Sequence, residues 1–176
     1  IVAQFVAILI TPLLSRLYTP DDFGVLALYT SLCGIGVIFS TGNYELCILL
    51  PKKDYSAFHV VCMAGIISLA FCTISCLGIL LFHDEIIRLL NNNQFVFLIY
   101  LVPVGVLINA LANLLNYWCN RHKFYELSSM TTITRSAVTS GLNLIMGEWQ
   151  IFTGGLVLGS FLGSFSGLIR LLHYFL

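Results

Sequence analysis

Long runs without a charged residue dominate this chain, and between them lie short polar stretches. The runs extend from Ile1 to about Ser15, Phe23 to Leu50, Ala57 to Phe82, Phe95 to Trp118, Leu127 to Gly147, and Thr153 to about Leu172. Glu45 alone breaks the second, Arg135 alone breaks the fifth, and Arg170 stands near the end of the sixth. Barrel strands alternate polar and apolar residues over about 10 positions, whereas most of these runs stay apolar for about twice that length. A helix satisfies its backbone within one segment, as a lipid environment demands. The pattern therefore predicts an all-α membrane protein with about six transmembrane helices.

Composition sharpens this picture. Hydrophobic residues make up 59% of the chain and charged residues 9%, against about 25% charged in soluble domains. Too little charge is present to cover a water-facing surface, and the mean hydropathy of +0.95 agrees. At about 20 apolar residues per span, 176 residues allow six or seven spans. The formal net charge is zero and the longest basic run is Lys52-Lys53, so nothing points to a nucleic-acid partner. The six cysteines, Cys33, Cys47, Cys62, Cys72, Cys76 and Cys119, lie in or at the ends of apolar runs without a CxxC pair. They are expected as free thiols that pack as small hydrophobes, with no metal site and no cofactor. The first run is too short to cross a hydrocarbon core of about 30 Å, and the last residues are still apolar. The expectation is one transmembrane bundle over residues 1–176, truncated at both ends, with no signal peptide.

Basic residues in the connections set an orientation. Arg16 and Arg88 follow odd-numbered spans, whereas Lys52, Lys53, Arg121, Lys123 and Arg170 follow even-numbered ones. The second set is expected in the cytoplasm. Tyr18, Tyr55, Tyr117, Trp118, Trp149 and Tyr174 mark span edges, as interfacial aromatic belts do. His59, His83, His122 and His173 also sit near span ends and read as interfacial residues. The adjacent acids Asp21-Asp22 and Asp84-Glu85 read as solvated loop charges.

Two spans carry more than lipid solubility. In the sixth, Gly155, Gly159, Gly163 and Gly167 recur every four residues, with Ser160 and Ser164 one position along. Such a ridge lets another helix approach closely; whether that helix belongs to this chain or to a second copy is left open. In the fifth, Ser128, Thr131, Thr132, Arg135, Thr139 and Asn143 share one face at three- and four-residue spacings. A buried Arg costs at least about 2.5–3.5 kcal/mol on insertion scales. Arg135 lies about 12 Å along the helix from Leu127, at about 1.5 Å per residue, so reaching the interface would strain it. Thr131, Arg135, Thr139 and Asn143 are thus candidates to line a wet cavity. Glu45 is either a structural partner of a cation or hydroxyl, or a residue that handles substrate or ions. No phosphate-binding glycine loop and no GxSxG is present, and no enzyme activity is expected.

Specific stretches carry a resemblance. Ser15 to Ser31 reads SRLYTPDDFGVLALYTS, Gly42 to Asp54 reads GNYELCILLPKKD, and Asn116 to Ser129 reads NYWCNRHKFYELSS; Thr134-Arg135-Ser136 and then Gly154 to Gly159 follow. In this order they resemble the O-antigen and polysaccharide flippases, which belong to the multidrug, oligosaccharidyl-lipid and polysaccharide exporter superfamily. The resemblance implies a fold of two six-helix lobes around a central cavity, of which this chain would be the N-terminal lobe. It implies a multi-pass protein of the bacterial inner (plasma) membrane. The implied substrate is an undecaprenyl-pyrophosphate-linked oligosaccharide for lipopolysaccharide or other surface polysaccharide. Glu45 and Arg135 are implied as cavity or gating residues. Asn43 stands where the resemblance implies an Arg before Tyr-Glu, so an Arg–Glu pairing there is ruled out.

The expected partners are therefore the lipid bilayer and a lipid-linked oligosaccharide, with a coupling ion left open. A drug or ion exporter of the same superfamily is one alternative; it would favour more carboxylates or aromatics than the fifth span holds. A membrane-embedded polysaccharide polymerase or glycosyltransferase is another. Such an enzyme needs acceptor-facing acids or a large outer loop, and the longest connection here, His83 to Gln94, has about a dozen residues.

Overall fold

The computed structural model describes residues 2–51, 53–82, 85, 93–149 and 154–175. Lys52, Thr153 and most of the loop around Arg88 lie outside them, as does the side chain of Trp149. The described residues form α1 (Val2–Leu17), α2 (Pro20–Thr41), a 3-10 helix η1 (Tyr44–Leu49), α3 (Asp54–Leu81), α4 (Asn93–Arg121), α5 (Tyr125–Trp149) and α6 (Gly155–Phe175), with no strand among them.

Four segments are long and apolar enough to cross a membrane: Pro20–Thr41, Asp54–Leu81, Ile99–Arg121 and Gly155–Tyr174. The chain is an all-α membrane protein, but the six expected spans are not all of one kind. The described part of α1 has 16 residues, short of the about 20 that a span takes. α5 has 25 residues, yet its stripe of hydroxyls, Asn143 and Arg135 leaves it outside the strongly apolar set.

The second apolar run is also not one helix. α2 stops at Thr41 because Gly42 and Asn43 both take left-handed backbone, at φ 54° and 58°. Gly42 closes the helix by donating its N–H to the Ile38 carbonyl at 2.9 Å. The chain then turns into η1, so Glu45 lies beyond α2 rather than within a span. A count of apolar residues does not register such a break.

Other ends are capped by side chains. Thr19 and Asp22 form a capping box before α2, with Pro20 at the first turn. The Thr19 N–H and hydroxyl donate to Asp22 Oδ2 at 2.9 and 2.7 Å. Asp22 is buried, a correction to its reading as a solvated charge; Asp21 is exposed. Between α4 and α5, Lys123 is left-handed at φ 61°. The Phe124 N–H donates to Cys119 O at 2.9 Å and the Lys123 N–H to Asn120 O at 3.1 Å, the paired bonds that end a helix in a tight reversal.

α4 is the central helix. Val106 packs with Tyr29, Cys33, Val37 and Val157. Ile108, Ala112, Leu115 and Cys119 pack with Leu168 and Leu171 of α6. Leu114 packs with Ile48, Ala57 and Ala64. α3 is the opposite case. Met63, Ile66, Ile74, Leu77 and Leu80 are all exposed, which is the solvation expected of a helix facing lipid rather than water. All six cysteines are free; the Cys33 and Cys72 thiols donate to the Val102 and Pro103 carbonyls.

The helices alternate in direction, and contacts tie together each end of the bundle. At one end Arg121 pairs with Asp54 at 3.0 Å and Phe58 packs on Trp118. Phe124 meets Tyr174 at the same end. At the other, the Tyr18 phenol reaches across to donate to the Asn143 carbonyl at 2.8 Å.

Candidate functional site

The polar residues of α5 divide between two neighbours. The first is the glycine ridge of α6, whose partner is α5 of the same chain. The pairing is antiparallel and steps by four residues: a Cβ added at Gly159 would overlap Asn143 Oδ1, and one added at Gly163 would overlap Thr139 Oγ1. One added at Gly167 would meet Thr131 Cγ2 at 3.6 Å and Arg135 Cβ at 3.7 Å. At the far end, Gly155 and Gly147 leave room for the Tyr18 ring. Thr131, Thr139 and Asn143 therefore face this seam, and Thr131 and Asn143 are buried in it. None of the three lines the cleft that holds Arg135 and Glu45. Helical spacing gives the shared face of α5, but not which neighbour that face meets.

The second neighbour is a cleft of about 330 Å³ between α2 and α6, floored by α4. It brings together Arg135, Glu45, Asn109, Asn113, Thr30, Ser160 and Ser164. Arg135 reaches it by length. Its stem rests on the glycine seam, and its Nη2 donates to Asn109 Oδ1 at 3.0 Å. No carboxylate pairs with it among the described residues, where Arg121–Asp54 is the ion pair. A guanidinium has five donors, so one bond to a neutral oxygen leaves its charge uncancelled. Arg135 is itself exposed at the cleft, and its charge is not neutralised there.

Glu45 reaches the same cleft from η1. It is buried, and its Oε2 has no hydrogen-bond partner among the described residues. Arg121 fixes the element that carries it, donating from Nη1 to Ile48 O at 2.9 Å and from Nε to Asp54 Oδ1 at 3.0 Å. Arg121 counts in the sequence only as a loop charge, so this clamp was not foreseen. Arg170, also counted as a loop charge, packs onto α5, where it bonds Thr134 Oγ1 and Met130 Sδ.

Asn109 and Asn113 are site residues that the sequence reading missed. Their signal was present: two amides four residues apart, inside a charge-free run, share one face of α4. Among the described residues the cleft brings together one cation without a carboxylate partner, one buried acid, two amides and several hydroxyls. No group of three or more His, Cys, Asp or Glu residues suited to a metal occurs among the described residues.

The recess gathers these polar groups inside a bundle with an apolar outer surface. No curated protein and no solved structure matches the chain. The profile described as "Polysaccharide biosynthesis protein" matches residues 13–174, a stretch that takes in the capping box of α2, the whole cleft and the glycine seam, and the chain belongs to that polysaccharide biosynthesis family.

Proposed function

We propose that this chain is the first lobe of a two-lobe transporter that moves undecaprenyl-pyrophosphate-linked oligosaccharides across the bacterial inner membrane for surface polysaccharide such as O-antigen. In this reading α1 and α5 cross the bilayer beside the four strongly apolar helices, giving six spans. The even-numbered connections face the cytoplasm.

One observation carries the reading: Arg135 holds an uncancelled positive charge in a cleft lined by amides and hydroxyls. A lipid-linked pyrophosphate brings negative charge and a hydrated sugar, neither of which crosses hydrocarbon unaided. Arg and phosphate form strong bidentate, charge-assisted bonds, strengthened by the reduced dielectric of a recess. Amide and hydroxyl groups along the walls can replace sugar hydration. Two lobes rocking about such a site give alternating access, and no covalent bond need change, so the protein is proposed to be a transporter rather than an enzyme.

A drug or ion exporter of the same superfamily is the second reading, and Glu45 favours it. A buried carboxyl oxygen without a donor, facing the same cleft, is suited to a cation. The two readings part on Arg135. In the full-length protein, Arg135→Ala is expected to abolish surface polysaccharide at normal membrane levels, while Arg135→Lys keeps part of the activity because charge remains without the bidentate fork. Wild-type polysaccharide export by the Ala variant at matched expression would sink the flippase reading.

A further inference from the structure

The cleft cation is held by an unusual choice of partner. We infer that Asn109 is a positioning residue for Arg135, and that its amide, in place of a carboxylate, keeps the guanidinium aimed into the cleft yet free to take an anion. This rests on the proposal that Arg135 binds the pyrophosphate.

The amide has one workable orientation. A carbonyl can only accept, so the end of Asn109 facing Gly105 O must be its NH₂, and Nδ2 donates there at 2.8 Å. A guanidinium can only donate, so the end facing Arg135 must be oxygen, and Oδ1 accepts from Nη2 at 3.0 Å. The two requirements agree, and each bond fixes the other. Gly105 is itself held close: a Cβ added there would overlap the Tyr29 hydroxyl and meet Cys33 Sγ at 3.1 Å. The backbone that orients Asn109 is thus wedged by two buried side chains of α2. At the other end of Arg135, the stem passes Gly167, where even an added Cβ would stand at ordinary contact distance from Cβ and Cδ, 3.7 and 3.9 Å. The side chain is anchored at its tip by Asn109, and that anchor is set before any ligand arrives.

The charge type at position 109 decides what the tip can do. An aspartate is nearly isosteric with asparagine, although its second oxygen cannot donate to Gly105 O as Nδ2 does. It would form an ion pair with Arg135 and compete with an incoming phosphate for the same donors. An alanine would remove the tip's anchor and leave the cation unplaced. The amide takes the middle course: it orients without neutralising.

The test uses purified full-length protein in detergent, with inorganic pyrophosphate as the probe, binding by calorimetry and melting temperature alongside. Arg135→Ala should lose binding. Asn109→Asp should weaken it at least ~10-fold, as expected when an Arg already carries a carboxylate; like Asn109→Ala it also loses the bond to Gly105 O. Asn109→Ala should weaken it less than Asn109→Asp. Should Arg135→Ala bind as wild type does, or should wild type not bind, the pyrophosphate reading itself fails and this inference with it. Should Arg135→Ala lose binding while Asn109→Asp retains it, the reading stands and the role of Asn109 is overturned. Equal weakening by Asn109→Asp and Asn109→Ala, which share the loss of the Gly105 bond, would mark a merely structural role and overturn it too.

Discussion

The seam between α5 and α6 and the cleft between α2 and α6 are built from the same kinds of side chain, with opposite results. Both receive polar groups of α5. In the seam, glycines bring the α6 backbone so near that Thr139 and Asn143 fill the remaining space. In the cleft, Thr30, Ser160, Ser164 and two asparagines stand back from one another and leave about 330 Å³ open. What makes a polar residue structural or available is therefore the size of its neighbour, not its own chemistry. Arg135 shows this within one side chain: its Cβ belongs to the seam and its guanidinium to the cleft.

The comparison breaks most sharply at the ridge. Gly159→Leu should destabilise the protein by about 3 kcal/mol or more, the upper range for overpacking, or leave no folded protein, as read by thermal unfolding in detergent. Leu162→Phe, at an exposed position of the same helix, should stay within about 0.5 kcal/mol of wild type. Equal stability of Gly159→Leu and Leu162→Phe would remove the distinction between seam and cleft.

A smaller effect is expected at the seam's far end. Tyr18→Phe removes the hydroxyl that donates to the Asn143 carbonyl and should cost about 1 kcal/mol. Tyr18 stands between α1 and α2 in the chain, and burial, with the nearby Asp22 carboxylate, pushes its phenol pKa above the ordinary value. As pH rises past about 10, the ordinary phenol value, the unfolded chain gives up that proton first, so wild-type stability falls. Tyr18→Phe should lack that component. An identical alkaline fall in both proteins would show that Tyr18 does not set it.

The smallest effect is expected at Asn143. Its Oδ1 is buried against Gly159 without a hydrogen-bond partner among the described residues. Asn143→Ala removes an unsatisfied acceptor while leaving a small void, and the two should nearly cancel, within about 1 kcal/mol. A loss as large as that of Gly159→Leu would mean that the amide, rather than the glycine, holds the helices together.

These variants also mark how far the sequence could be read. The helices were legible because each is built on a run with at most one charged residue. The ridge was legible because four glycines keep one period, and Arg135 stood out as the basic residue well inside a run. Three things were not legible. The turn at Gly42-Asn43 costs no apolar residues, so it left Glu45 nominally inside a span. Helical spacing fixes the angle of Thr131, Thr139 and Asn143 about their own axis, but says nothing of which helix lies there. Asn109 was overlooked because an uncharged amide does not interrupt a hydropathy pattern, although its burial in lipid carries a similar demand for a partner.

α3 has a consequence of its own. At 28 residues and about 1.5 Å per residue it is about 42 Å long, while the hydrocarbon core of a bilayer is about 30 Å thick. Most of its length faces outward, and Leu81 and Phe82 at its end are as exposed as the middle. The excess must be met by tilt, by ends that protrude into the headgroups, or by local thickening of the membrane. Bilayer thickness therefore acts on this protein through α3, a helix whose long apolar face is turned outward.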